Sequence, residues 1–245
     1  MVIKINKRMR IAFIGAAIVL AVTAAAFALI ILRDSGYANQ TAGRAVDMLT
    51  IIVDPGHGGE DGGATAADGT VEKEINLSIS LKLRDMLDTM GYNVIMTRET
   101  DADISDPSLK TTRQRKVSDI RNRMKIIEQT PDSLFVSIHQ NHYGGPSYSG
   151  AQVFYSKNDP RSEQLAKAIQ ENIKSLLQPN NSRAVKGTGT EIYLLYHAQT
   201  PAVLVECGFL SNDDDVRLLT DETYQARLAF VIAGTILEYV NQTEV

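Results

Sequence analysis

A chain of 245 residues with 44% apolar and 22% charged side chains has ordinary globular composition, which excludes a disordered or fibrous protein. The lone cysteine, Cys207, excludes an internal disulfide, so an exported domain must stand on its core. Residues 1–33 carry five cations and no acid; the remainder holds 20 basic against 29 acidic side chains, a net of −9, without the basic footprint of nucleic-acid binding.

In chain order, residues 11–32, "IAFIGAAIVLAVTAAAFALIIL", are 22 consecutive uncharged residues, enough to cross a hydrocarbon layer as a helix. Lys4, Lys7, Arg8 and Arg10 precede this run and only Arg33 follows it before Asp34, which places the N-terminus in the cytoplasm and the rest of the chain outside. A cleaved signal peptide is the rival reading; its apolar region is normally about 7 to 15 residues, although the small residues around Thr23 to Ala26 leave cleavage open, and the domain would then be secreted. Residues 1–33 are therefore read as a cytoplasmic stub with a membrane anchor, residues 34–48 as a tether and residues 49–243 as one catalytic domain.

From Leu49 onward, short β-branched runs alternate with helical patterns, which predicts an α/β domain in three layers, with a mostly parallel or mixed sheet of about six strands. Strands are predicted at 49–53, 92–97, 134–138, 151–155, 191–195 and 202–206. Several are near-continuous apolar runs, so helices should cover both faces. Ile75, Ile79, Leu83, Leu87 and Met90 recur at helical spacing before Gly91. Val117, Ile120, Met124 and Ile127 do the same, as do Leu165, Ile169, Ile173 and Leu177, and Tyr224, Leu228, Ile232, Ile236 and Tyr239. All four stripes are predicted core.

The polar outliers fall at the strand ends. His57 follows the first strand inside the glycine-rich "DPGHGGEDGGA", His139 follows "LFVSI", and Glu206 ends "AVLVE". In open α/β sheets the working crevice lies outside the carboxyl ends of the strands. Glu72 opens the first long helix beside the His57 turn. Two histidines and a carboxylate with an open fourth position make the His₂Glu set of catalytic zinc sites, and glycines would let the backbone bend to aim an imidazole at a metal. A further carboxylate must then move protons, a role that fits Glu206. From the pattern alone, structural glycines and scattered polar residues remain open.

Five motifs in register resemble the zinc-dependent N-acetylmuramoyl-L-alanine amidases of the amidase-3 group: "DPGHGGEDGGA", the acid of "VEKEINL", "VIMTRETD", "LFVSIHQN" and "PAVLVECGFLSN". The resemblance covers about residues 49–242. It implies that His57, Glu72 and His139 hold Zn²⁺, that Glu206 is the catalytic glutamate, and that the substrate is the amide between the muramic lactyl group and L-alanine in peptidoglycan stem peptides. The leader, the lack of wall-binding repeats, "RNRMKIIEQ" at 121–129 and "YLLYHAQTPAVLVE" at 193–206 look most like the germination-type amidases of endospore formers. That likeness implies a role in cortex maturation, where a separate deacetylase-type enzyme converts the bared muramic acid to its lactam, and it brings in a helper lipoprotein as a partner. A non-catalytic wall-binding or assembly factor and a metallopeptidase cutting within stem peptides are the competing readings.

Other polar residues are weighed singly. Glu72 and Glu74 lie about 200° apart on a helix, so they cannot share a metal, and the motif selects Glu72. His142 is read as lining the cleft or solvated, and His197 as solvated or touching substrate. Asn141 and Asn212 either contact substrate or brace loops, and Arg123 forms an ion pair, lies on a helix surface or contacts substrate. Cys207 should face away from Glu206, because neighbouring strand residues point oppositely. No GxxxxGK[ST] or GxSxG occurs, and no inserted helix is expected between residues 140 and 160.

Overall fold

The computed structural model describes residues 49–145 and 147–243. The anchor expected at 11–32 and the tether at 34–48 lie outside the described residues, among which no helix is long and apolar enough to cross a membrane.

The strands are β1 (Thr50–Pro55), β2 (Asn93–Met96), β3 (Ser133–Asn141), β4 (Gln152–Tyr155), β5 (Lys186–Gly187) and β6 (Ala202–Phe209), and the helices α1 (Glu72–Thr89), α2 (Thr112–Glu128), α3 (Pro160–Leu176), α4 (Tyr193–His197), α5 (Asp213–Leu219) and α6 (Glu222–Thr243). The six strands form one mixed sheet in the order β2-β1-β3-β6-β4-β5, with β4 antiparallel to β6 and the other pairings parallel.

Strand alternation divides the core into two layers. Ile51, Val53, Leu134, Val136, Ile138, Val203, Val205 and Cys207 pack on the face covered by α1, α3 and α6, while Ile52, Phe135, Ala202 and Leu204 pack on the face covered by α2 and α4. Both faces are thus buried, as the continuous apolar runs require.

Two expectations are corrected. The strand predicted at 191–195 is largely the short helix α4, and the strand beside β4 is instead Lys186–Gly187. In "EIYLLYH" the adjacent Leu194 and Leu195 are both buried while Tyr193 and Tyr196 are exposed, a helical grouping that strand alternation cannot deliver. Val117, predicted as core, is 41% exposed. The first half of α2 carries Arg115 and Lys116 to Glu60 and Asp61 in the His57 turn, and only Met124 and Ile127 of its stripe are fully buried.

Helix starts fix the loops that matter. α1 has no side-chain cap; its first amides donate to the carbonyls of Ala64 (2.9 Å) and Gly62 (3.1 Å), which ties the glycine loop to the helix. Thr111 and Gln114 form a capping box on α2, Asp159 caps α3 ahead of Pro160, and Asn212 caps α5. Residues 142–151, between β3 and β4, contain no helix among the described residues.

Candidate active site

β1, β3 and β6 are parallel neighbours, so their carboxyl ends form one edge of the sheet. The chain leaves β1 at Gly56 and turns sharply at His57, whose φ of 61° lies in the left-handed region that non-glycine residues rarely adopt. The histidine shares the bend with Gly58 (φ 138°), Gly59 (φ 56°) and Gly63 (φ 71°), and Gly56 and Gly63 also make room for the site's side chains. A Cβ on Gly56 would lie 2.2 Å from His139 Nε2, and one on Gly63 would lie 2.5 Å from Glu72 Oε2.

Two buried arginines hold this strained turn. Arg123 Nη1 donates to the Pro55 carbonyl (2.8 Å) and Nη2 to the His57 carbonyl (2.7 Å), while Arg98 donates to the carbonyls of Pro55 (3.0 Å) and Gly56 (3.0 Å). Arg123 is itself paired with Asp54 (2.6 Å) and Asp119 (2.7 Å). Asp54 also accepts from Thr97 and Ser137, each at 2.6 Å. Burial works to raise the Asp54 carboxyl, but Arg123 and the two hydroxyls outweigh it and hold it below the usual range.

Against this frame, His57 Nε2 lies 3.2 Å and His139 Nδ1 3.0 Å from the same atom, Glu72 Oε1. The three candidate ligand atoms all fall within 4.8 Å of one another. Glu72 is buried at the start of α1, where Ala64 N donates to Oε2 (2.9 Å) and Gln140 N to Oε1 (3.1 Å). Burial opposes its ionisation, yet the hydrogen bonds from His139 and His57 keep it ionised far below the ordinary glutamate range. On the other side of its ring, His57 Nδ1 meets Asp61 Oδ2 at 3.1 Å, and Lys116 holds Asp61 at 2.7 Å. Burial lowers the His57 pKa, but hydrogen bonds to Asp61 and Glu72 prevail and raise it to about 9.

Glu206 is the direct register partner of His139 in the β3–β6 ladder. Its Oε2 is buried without a hydrogen-bond partner among the described residues, and burial pushes its carboxyl up to about 7, with the charge of Glu72 adding to the rise against the pull of the histidines. A carboxyl whose pKa is pushed up toward neutrality, beside two imidazoles and a carboxylate, is suited to moving protons near neutral pH.

Comparison with known proteins identifies the family. The profile of the N-acetylmuramoyl-L-alanine amidases of the amidase-3 type matches residues 51–238. The chain belongs to the N-acetylmuramoyl-L-alanine amidase family. The germination-specific N-acetylmuramoyl-L-alanine amidase of Bacillus subtilis is 38% identical over 192 residues, which span 78% of this chain and 80% of that protein. The CwlD amidase of Clostridioides difficile, solved in complex with the GerS lipoprotein, superposes with a TM-score of 0.76 at 46% identity, covering 79% of this chain and 98% of that one. The amidase AmiC2 of Nostoc punctiforme gives a TM-score of 0.68 at 28% identity over 79% of this chain and 97% of that one.

In the amidase described here, His57, Glu72 and His139 come together with Glu206 beside them in register, and the other candidates take the following places. Glu74 and His142 are exposed. His197 is also exposed, its ring 4.4 Å from that of Tyr193. Asn141 ends β3 opposite Phe209, and its carbonyl accepts from Leu210 N (2.8 Å). Asn212 caps α5, which is the loop-bracing alternative, and Arg123 acts as an ion pair that braces the His57 turn. Cys207 is buried on the opposite sheet face, as alternation required. Sequence reasoning missed Asp61, Asp54 and Arg98. Asp61 had one local signal, its place four residues after His57 in a turn, whereas Asp54 and Arg98 meet their partners only through the sheet.

Proposed function

We propose that this amidase is a zinc enzyme that cleaves the bond between the muramic lactyl group and L-alanine of peptidoglycan stem peptides, in the maturation of the spore cortex for germination. The observation that carries this reading is the meeting of two imidazole nitrogens and one carboxylate oxygen within 4.8 Å, with Glu206, whose Oε2 has no hydrogen-bond partner among the described residues, in register beside His139.

These residues fit a zinc ion. The donors are the His₂Glu set, three carboxylates (Asp61, Glu72 and Glu206) surround two histidines, and Asp61 engages the far nitrogen of His57 as carboxylates do behind metal-bound imidazoles. His57, Glu72 and His139 would hold the zinc ion, which when bound would supply a Lewis acid for the scissile carbonyl and for water. Glu206 then takes the proton of the attacking water on its carboxylate and passes it to the departing nitrogen of L-alanine, its pKa of about 7 allowing both transfers. The arginine-braced turn keeps His57 aimed without rearrangement during turnover.

The cortex role is supported by the likeness to the B. subtilis germination-specific amidase. The structure of CwlD with GerS supports a helper lipoprotein as a partner here. A single-pass anchor at residues 11–32 would place the domain on the outer side of the cytoplasmic membrane, with its substrate; leader cleavage would release it. Protein dialysed free of metal, then incubated with glycan strands bearing stem peptides with and without zinc, tests the proposal. New amino-terminal L-alanine only in the zinc arm is expected; no release would indicate a wall-binding or assembly factor, and a new terminus within the peptide would indicate a metallopeptidase.

A further inference from the structure

One cation beside the Glu206 row has no part in this chemistry. β4 runs antiparallel to β6 with Gln152 in register with Glu206, so the two side chains rise from the same sheet face about 5 Å apart at Cβ. The Gln152 side-chain carbonyl accepts from Arg183 Nη2, and its Nε2 donates to the Ala184 carbonyl (2.8 Å). The Arg183 guanidinium carbon sits 4.7 Å above the Phe209 ring, which stacks in turn on Tyr148 with centroids 6.1 Å apart. Stacking and hydrogen bonding thus hold a planar fork in place.

That fork makes no ion pair among the described residues, and its buried Nε lacks a hydrogen-bond partner. Two acids feel its charge, Glu206 and Asp215. Asp215 is committed to the amides of Gly150 and Phe209, each at 2.8 Å. Glu206 lies beyond ion-pair distance. An immobilised, half-buried guanidinium without a carboxylate, one strand from the reacting centre, is built to meet an acid that arrives with the ligand.

We infer that Arg183 is a carboxylate-recognition residue of the cleft, which binds an acidic group of the stem peptide on the leaving-group side of Glu206. The inference rests on the amidase reading, and the substrate's charge distribution gives the side. Until the amide is cut, the lactyl carboxyl is neutral, so negative charge near the scissile bond resides on the peptide.

The test is binding, in a Glu206→Gln background that prevents turnover, of muramoyl glycopeptides whose acidic second residue is either a free carboxylate or its carboxamide. The free acid is expected to bind about tenfold or more tighter, with Arg183→Gln abolishing that preference by weakening the acid alone and Arg183→Lys keeping part of it. Equal binding of acid and amide with Arg183 present overturns the inference without reliance on any Arg183 variant; equal weakening of both ligands by a folded Arg183→Gln chain does so as well. With Glu206 intact, Arg183→Gln should raise KM for the acid substrate and leave kcat nearly unchanged. If the unsubstituted chain releases amino-terminal L-alanine from neither substrate, the amidase reading itself fails; release with acid and amide treated alike sinks the subsite alone.

Discussion

At residue scale the site depends on competition for protons. His57 carries a pKa raised to about 9, and a metal ligand must be deprotonated, so protons compete with zinc throughout the neutral range. Zinc affinity should therefore rise steadily from pH 6 to pH 9, which equilibrium dialysis with a buffered metal indicator can measure; a flat profile would contradict the assignment of His57. Removing the Asp61 carboxylate should weaken zinc binding by about 10- to 100-fold in Asp61→Asn, because the imidazole loses the group that orients it. Glu206→Gln should keep the metal and the fold while losing about 10²- to 10⁴-fold in kcat. Glu206 must be ionised to accept a proton and its carboxyl is pushed up to about 7, so with zinc saturating at every pH the acid limb of kcat/KM should fall below neutrality and vanish in that variant's residual rate.

The four converging residues were legible in the sequence because each follows a strong local event: a glycine-rich strand end, a helix start, or the last polar residue of an apolar strand. Arg123 was visible as a motif residue, but its role was not, since its partners Asp54, Pro55 and His57 lie some 66 to 69 positions away. Arg183 gave no signal, because its environment exists only once β4 pairs with β6.

Among the elements, β1 and α2 act as one brace. Truncating Arg123 leaves Asp54 buried and unpaired, so Arg123→Met should lose about 3 to 5 kcal/mol in chemical denaturation. The sign of the pH effect follows from Asp54, whose pKa in the fold is lower than its unfolded value near 3.8. Its contribution is present above that unfolded value and is lost as pH falls through the depressed one. Denaturation midpoints should accordingly drop below about pH 4, and less so in Asp54→Asn. Long periodic helices were readable from spacing alone. The short α4 was not, because five residues hold barely one turn of period, and "EIYLL" offers the β-branched and aromatic residues of a strand.

For the whole molecule, charge and topology combine. On the proposed topology, the four cations ahead of the uncharged run at 11–32 would put the N-terminus inside and the acidic remainder of the chain outside the cytoplasmic membrane. The full chain should then sediment with membranes in carbonate and be digested by protease added to protoplasts, whereas cleavage of the leader would place it in the soluble fraction. Neither faculty matters unless the edge formed by β1, β3 and β6 works as a hydrolytic centre. The most direct test is mass-spectrometric identification of the terminus released from stem-peptide-bearing glycan strands by the metal-stripped chain, before and after one equivalent of zinc. Amino-terminal L-alanine appearing only after zinc is added is the expected result; equal release without metal, or termini elsewhere in the peptide, would contradict the account.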